Sequence, residues 1–182
     1  MNLPNKITMF RVVLIPFFVF FMLSEHIAYH NYIAVAIFIV ASLTDMLDGK
    51  IARKYNLVSN FGKFMDPLAD KLLVSSAMIC FVAIPSNPMP AWVVIVIIAR
   101  EFIISGFRLV ASDAGVVIAA SYWGKIKTVT QMVMSILLIV NFDGYIINIV
   151  EYVFIYAALI LTVISLVDYM VKNWSVMRDG NM

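Results

Sequence analysis

Charge is scarce in this chain. Only 13% of its 182 residues are Asp, Glu, Lys or Arg, while 63% are hydrophobic and the mean hydropathy is +0.97. A soluble domain of this size needs far more polar side chains to cover its surface, which leaves lipid as the solvent. The single cysteine, Cys80, excludes an internal disulfide. With only His26 and His30 beside it, a Cys/His zinc cluster is excluded as well. The net charge of +2 comes without any long basic tract, so nucleic acid is not an expected partner. The opening MNLPNKITMFRVVLIPFFVFFMLS sets a basic residue before an apolar run, as a signal peptide does. It lacks a small-x-small cleavage site and further apolar runs follow, so it reads as a first membrane helix kept in the mature protein.

Apolar segments long enough to cross about 30 Å of hydrocarbon recur along the chain. They are Ile7–Ser24, Tyr32–Ala52, Asp66–Ile84, Ala91–Ser112, Trp123–Phe142 and Ile146–Lys172, the second being cleanly apolar only to Leu43. The expected fold is all-α, a polytopic integral membrane protein of six transmembrane helices forming one domain over residues 1–182. SEHIAYHN, PSNPMP and NFDGY punctuate it as short turns. These turns contain neither Lys nor Arg. Lys6 and Arg11, then Lys50, Arg53, Lys54 and Lys63, then Lys125 and Lys127, and finally Lys172 and Arg178 fall at the opposite helix ends. The positive-inside rule therefore predicts that both termini and the region Asp45–Asp70 are cytoplasmic.

That region, DMLDGKIARKYNLVSNFGKFMDPLAD, gathers four aspartates in an otherwise apolar chain. Asp45, Asp48 and Ala52 share one face of the second helix at 3.6 residues per turn. Gly62, Asp66 and Asp70 recur every four residues and share a face if the third helix starts before Gly62, with Ser59 or Asn60 as its cap. Pro67 displaces a helical hydrogen bond, so a bend or local unwinding near Asp66 would fit. The short join around Tyr55–Ser59 makes the two helices expected antiparallel neighbours with facing aspartates. Four close carboxylates repel unless cations bind between them, and oxygen-only donors favour Mg²⁺, Mn²⁺ or Ca²⁺ over zinc. A pair of such ions is a standard device for phosphoryl transfer. Any one of these acids could instead be a helix cap or a solvated group; four in two helical registers beside Gly49, Gly62 and Arg53 are not well explained that way. The glycines could serve close helix packing or close approach of a ligand, and Arg53 offers a fork of donors to phosphate or an anchor at the membrane edge.

The spacing D-x2-D-G-x2-A-R-x8-G-x3-D-x3-D resembles the signature of the CDP-alcohol phosphatidyltransferase family, membrane enzymes of phospholipid synthesis. Asp45, Asp48, Gly49, Ala52, Arg53, Gly62, Asp66 and Asp70 match every fixed position with no gap. The resemblance implies that Asp45, Asp48, Asp66 and Asp70 surround two divalent ions, Mg²⁺ or Mn²⁺, and that Asp70 is the base that deprotonates the incoming alcohol. It also implies that Thr44, Asp48, Gly49, Arg53, Gly62 and Asp66 contact the donor, CDP-diacylglycerol. The family is commonly homodimeric, and a bacterial plasma membrane with the active site facing the cytoplasm is the expected location. NLPNKITMFR, AREFIISGFR and GKIKTVTQ are similar to the branch that accepts glycerol 3-phosphate, which often has leucine where Phe107 stands.

Glycerol 3-phosphate is a dianion, and its pocket needs fixed positive charge. Arg108, Lys125 and Lys127 are the expected phosphate ligands, gathered at the inner ends of the fourth and fifth helices. Arg11 could close the pocket or anchor the first helix. Arg100 and Glu101 lie near the middle of the fourth segment, where a bare charge costs at least ~2.5 kcal/mol. They are expected to pair inside the bundle, with acceptor contact by Arg100 as the other reading. Glu151, Asp168 and Lys172 could pair across helices or reach the cavity. Two rivals remain: the same donor chemistry with serine, phosphatidylglycerol or inositol phosphate as acceptor, and a divalent-cation transporter, which accounts poorly for Arg53 beside a cation path.

Overall fold

Asn2 starts the first helix: its side chain accepts from Asn5 N at 3.2 Å, and a proline stands in the first turn, where its missing N–H costs nothing. The cap places the start at Leu3, four residues before the apolar run itself begins. The computed structural model describes residues 2–54, 60–113, 118 and 121–174, without the side chains of 46–54, 60–61, 63–64, 67 and 113. Six α-helices follow one another: α1 (Leu3–Leu23), α2 (His30–Lys54), α3 (Asn60–Ala83), α4 (Ala91–Asp113), α5 (Tyr122–Val140) and α6 (Tyr145–Lys172). The expected turns fall between them, and Asn141 closes α5 at φ 50°, a left-handed position that asparagine tolerates. α3 begins at Asn60, the earlier of the two starts considered, and its helical backbone runs unbroken through position 67. No local unwinding accompanies Pro67. The join at 55–59 and Arg178 lie outside the described residues.

α1, α5 and α6 are each long and apolar enough to span a bilayer. Large apolar side chains point away from the protein along the helices: Phe10, Phe17 and Phe20 on α1, Ile95 and Leu109 on α4, Ile146 on α6. A water-soluble monomer seldom exposes so much apolar surface. The chain is an all-α, multi-pass membrane protein with at least three spanning helices.

Two compact units divide it. In the first, Met1–Asn87 with Ile136–Asn141, α1 is the common partner: it packs along both α2 and α3, which meet each other much less among the described residues. Its inward face is Pro4, Asn5, Thr8, Arg11, Ile15, Phe18 and Met22. Phe18 meets Phe38 of α2 at 5.8 Å between ring centroids. Ala34 and Ala41 of α2 and Ala69 and Ala77 of α3 are fully buried, small enough to let helices approach closely. At the far end Asn31 donates to Val140 O at 3.4 Å, and Asn87 donates to Leu138 O at 3.1 Å.

In the second unit α4 packs along α6. The buried stripe of α6 is Glu151, Ile155, Ala158, Thr162, Ser165 and Tyr169, spaced by three and four residues. Thr162 and Ser165 donate their hydroxyl protons to the carbonyls of Ala158 and Thr162, so neither demands a partner from another helix.

Candidate active site

Because α3 starts at Asn60, Gly62, Asp66 and Asp70 do share one helix face. Asp66 Oδ1 accepts the hydroxyl proton of Thr8 at 2.6 Å. Thr8 Oγ1 also lies 3.1 Å from Pro4 O; with a single proton to give, the shorter contact to a carboxylate is the stronger claim on it. Asp45 Oδ1, on α2, receives Arg11 Nη1 at 2.5 Å. Thr8 and Arg11 stand three residues apart on the buried face of α1, where side chains are neighbours. The end of α2 and the start of α3 thus bring their first acids to one turn of α1. The sequence alone points to neither pairing: it reads Arg11 as an anchor or a phosphate ligand and gives Thr8 no role. One polar residue on the inward face in each of α1's first three turns (Asn5, Thr8, Arg11) is the signal that could have found them.

Asp70 is different. Its side chain is 48% exposed, and among the described residues it meets Lys71 Nζ at 3.6 Å, which leaves the carboxylate open to an approaching hydroxyl. Thr44 Oγ1 donates to Ala41 O at 2.7 Å within α2, and Gly62 is buried. Asp48, Gly49, Ala52 and Arg53 belong to the α2 backbone, but their side chains lie outside the described residues. Among the described residues no three Asp, Glu, His or Cys side chains cluster at ion-binding separation. Asp45 and Asp66, each held by a side chain on one turn of α1, are oxygen donors of the type that fits a hard divalent ion such as Mg²⁺ or Mn²⁺.

The basic residues of the second unit group differently from the expectation. Glu101 is the centre: it accepts from Arg100 Nη1 at 2.9 Å and from Lys127 Nζ of α5. Both cations are largely buried, so the carboxylate satisfies charges that lipid would not. Arg100 also approaches the start of α5, where a Cβ on Gly124 would lie 3.7 Å from Nη2. Lys127 therefore pairs with the same carboxylate as Arg100. Arg108 turns to α6, its guanidinium carbon 5.7 Å from the centre of the Tyr169 ring, with Phe107 edge-on to the same ring. Lys125 is exposed. Asp168 pairs with Lys172 at 2.6 Å along α6 and not across helices, as an i, i+4 spacing favours. Glu151 is buried on the inward face of α6.

Residues 1–164 match the family model described as CDP-alcohol phosphatidyltransferase. The chain is 45% identical to a CDP-diacylglycerol–glycerol-3-phosphate 3-phosphatidyltransferase of Bacillus subtilis, over 99% of both chains. A relative of the same description from Haemophilus influenzae is 39% identical, over 93% of this chain and 91% of its own. A probable phosphatidylglycerophosphate synthase of Mycobacterium tuberculosis is 38% identical, over 94% and 81%.

Proposed function

The chain belongs to the CDP-alcohol phosphatidyltransferase family, and from that premise we propose that it transfers the phosphatidyl group of CDP-diacylglycerol to the 1-hydroxyl of sn-glycerol 3-phosphate. The products are phosphatidylglycerophosphate and CMP. Relatives described by that activity align along nearly the whole chain, which supports both the acceptor and the reading of residues 1–182 as one catalytic domain. The observation that carries the chemistry is the convergence of Asp45 and Asp66 on Arg11 and Thr8, one turn of a single helix.

Asp45, Asp48, Asp66 and Asp70 are the residues that would hold two Mg²⁺ or Mn²⁺ ions. Such ions, when bound, neutralise the charge that develops on a diphosphate as it splits. Thr44, Asp48, Gly49, Arg53, Gly62 and Asp66 bind the cytidine diphosphate portion of the donor, whose acyl tails stay in the bilayer. Asp70, the open carboxylate, takes the proton of the acceptor hydroxyl. The freed oxygen bonds to the lipid-side phosphorus, and the bond from that phosphorus to the oxygen of CMP breaks. Arg108, Lys125 and Lys127 supply the charge that binds the acceptor phosphate, with Arg100 tied to Lys127 through Glu101. Holding the dianion in one orientation turns a collision into near-unimolecular attack.

Placement follows from charge. Six spans with both termini on the cytoplasmic side satisfy the Lys/Arg asymmetry of the loops, and the membrane is taken to be a bacterial plasma membrane, since the relatives come from bacteria. A cytoplasmic active site is where a soluble phosphorylated acceptor and a nucleotide-activated lipid can meet. The working form is taken to be a homodimer, as is common in the family.

One assay tests the reaction: CMP release from CDP-diacylglycerol in mixed micelles, with and without Mg²⁺ or Mn²⁺, against a panel of acceptors. Glycerol 3-phosphate is expected to dominate and to require the divalent ion. Fast turnover of serine or inositol phosphate with none of glycerol 3-phosphate would overturn the acceptor, and ion flux across sealed vesicles without CMP release would overturn the enzyme.

A further inference from the structure

The reaction makes no use of α1, yet α1 grips two of its carboxylates. The Arg11 side chain is 0% exposed, while Asp45 beside it remains 39% exposed. A guanidinium stays charged throughout the working pH range, so in a dry position it needs an anion against it. One turn earlier Thr8, also fully buried, gives its proton to Asp66. We propose that α1 positions the metal site: Arg11 is the resident counter-charge of Asp45, and Thr8 locks the orientation of Asp66. This rests on the reading of Asp45 and Asp66 as ligands of the divalent ions.

The two groups act in opposite senses. Carboxylates gathered at one helix turn repel one another, and the fixed charge of Arg11 offsets that repulsion. The same charge opposes an incoming cation, so Arg11 makes the site stable when empty and moderates its affinity when filled. Thr8 carries no charge; its hydrogen bond restricts rotation of the Asp66 carboxylate, the kind of outer contact that strengthens a ligand set. Together they keep the acids assembled while letting the ions exchange.

The test reads Mn²⁺ binding by electron paramagnetic resonance on the full chain in nanodiscs, without substrate. Arg11→Gln removes the charge and keeps an N–H donor; Mn²⁺ should bind roughly tenfold more tightly, and Arg11→Lys should return the affinity to that of the parent. Thr8→Val removes the hydroxyl and keeps the volume; binding should weaken roughly tenfold, with Thr8→Ser restoring it. If both variants melt at lower temperature but bind Mn²⁺ like the parent, the two residues only pack and the proposal is wrong. Weaker binding in Arg11→Gln would refute the counter-charge role. Where Arg11→Gln does not fold, the Thr8 pair carries the test, since both replacements preserve packing. Asp45→Asn and Asp66→Asn separate the levels. If they leave Mn²⁺ binding intact, the ligand assignment itself falls, and this proposal with it; if they abolish binding while the α1 variants change nothing, only this proposal falls.

Discussion

Replacing Glu101 by Gln should be among the costliest single changes in the second unit. The carboxylate serves two cations at once, Arg100 with 11% of its side chain exposed and Lys127 with 4%. Glutamine keeps the volume and one acceptor oxygen, so what is lost is the charge. Breaking a buried ion pair by neutralising one partner costs about 3–5 kcal/mol. Glu101 itself is 16% exposed, which admits some water and favours the lower end of that range. Lys127→Met should cost less, about 1–2 kcal/mol, because Glu101 keeps Arg100 as a partner. In the double variant the ammonium left without a counter-charge is gone, so its cost should fall short of the sum of the singles by about 1–2 kcal/mol. Reversible unfolding in mixed detergent micelles, followed by helical circular dichroism, measures all three. Additivity within about 0.5 kcal/mol would mean that Glu101 and Lys127 do not depend on each other, and the charged cluster joining α4 to α5 would have to be abandoned.

Asp70→Asn should lower turnover by roughly 10²–10⁴-fold, the usual contribution of a positioned general base, while binding of CDP-diacylglycerol persists; near-normal turnover would remove Asp70 from that role. Lys125→Ala should raise KM for glycerol 3-phosphate with little change in kcat, and equal KM values would discard Lys125 as a phosphate ligand. The Tyr169 hydroxyl is buried without a hydrogen-bond partner among the described residues, so Tyr169→Phe should leave stability within about 1 kcal/mol of the parent or raise it, whereas Tyr169→Ala should cost about 3–5 kcal/mol through the lost ring contacts with Phe107 and Arg108. In a Cys80→Ser background, cysteines at Glu25, Asn87 and Asp143 should react with an impermeant maleimide added outside intact cells, and one at Lys125 should not; the reverse pattern would invert the topology.

The positions of the helices were legible because the hydrophobic runs are long and the turns carry their own residues. The start of α3 shows what local reading can do: hydropathy alone begins the segment at Asp66, whereas Gly62, Asp66 and Asp70 share a face only if the helix starts before Gly62, and it begins at Asn60. The partners of the charges were not legible. Arg11 lies 34 residues from Asp45, and no local pattern says that α1 will pack along α2 with that register. Charge placement alone groups Lys127 with Arg108 and Lys125 at the inner ends of α4 and α5. The observed pairing with Glu101 depends instead on how far α5 is shifted along α4, a relation between helices that hydropathy does not encode.

In lipid the usual logic of amphipathic helices runs backwards, and α1 makes the consequence concrete. Phe10, Phe17 and Phe20 are exposed while Asn5, Thr8 and Arg11 are buried, the reverse of a helix in water. Burial of an apolar side chain is weakly informative here, because the hydrocarbon outside is as welcoming as the protein inside. A buried polar side chain is the informative event, since it is costly unless it finds a partner within the protein. Following three such side chains leads from Thr8 to Asp66, from Arg11 to Asp45 and from Lys127 to Glu101. Two of those three paths end on the acids of the family signature, reached from α1, a helix outside that signature. The packing of α1 therefore restrains where those acids can point.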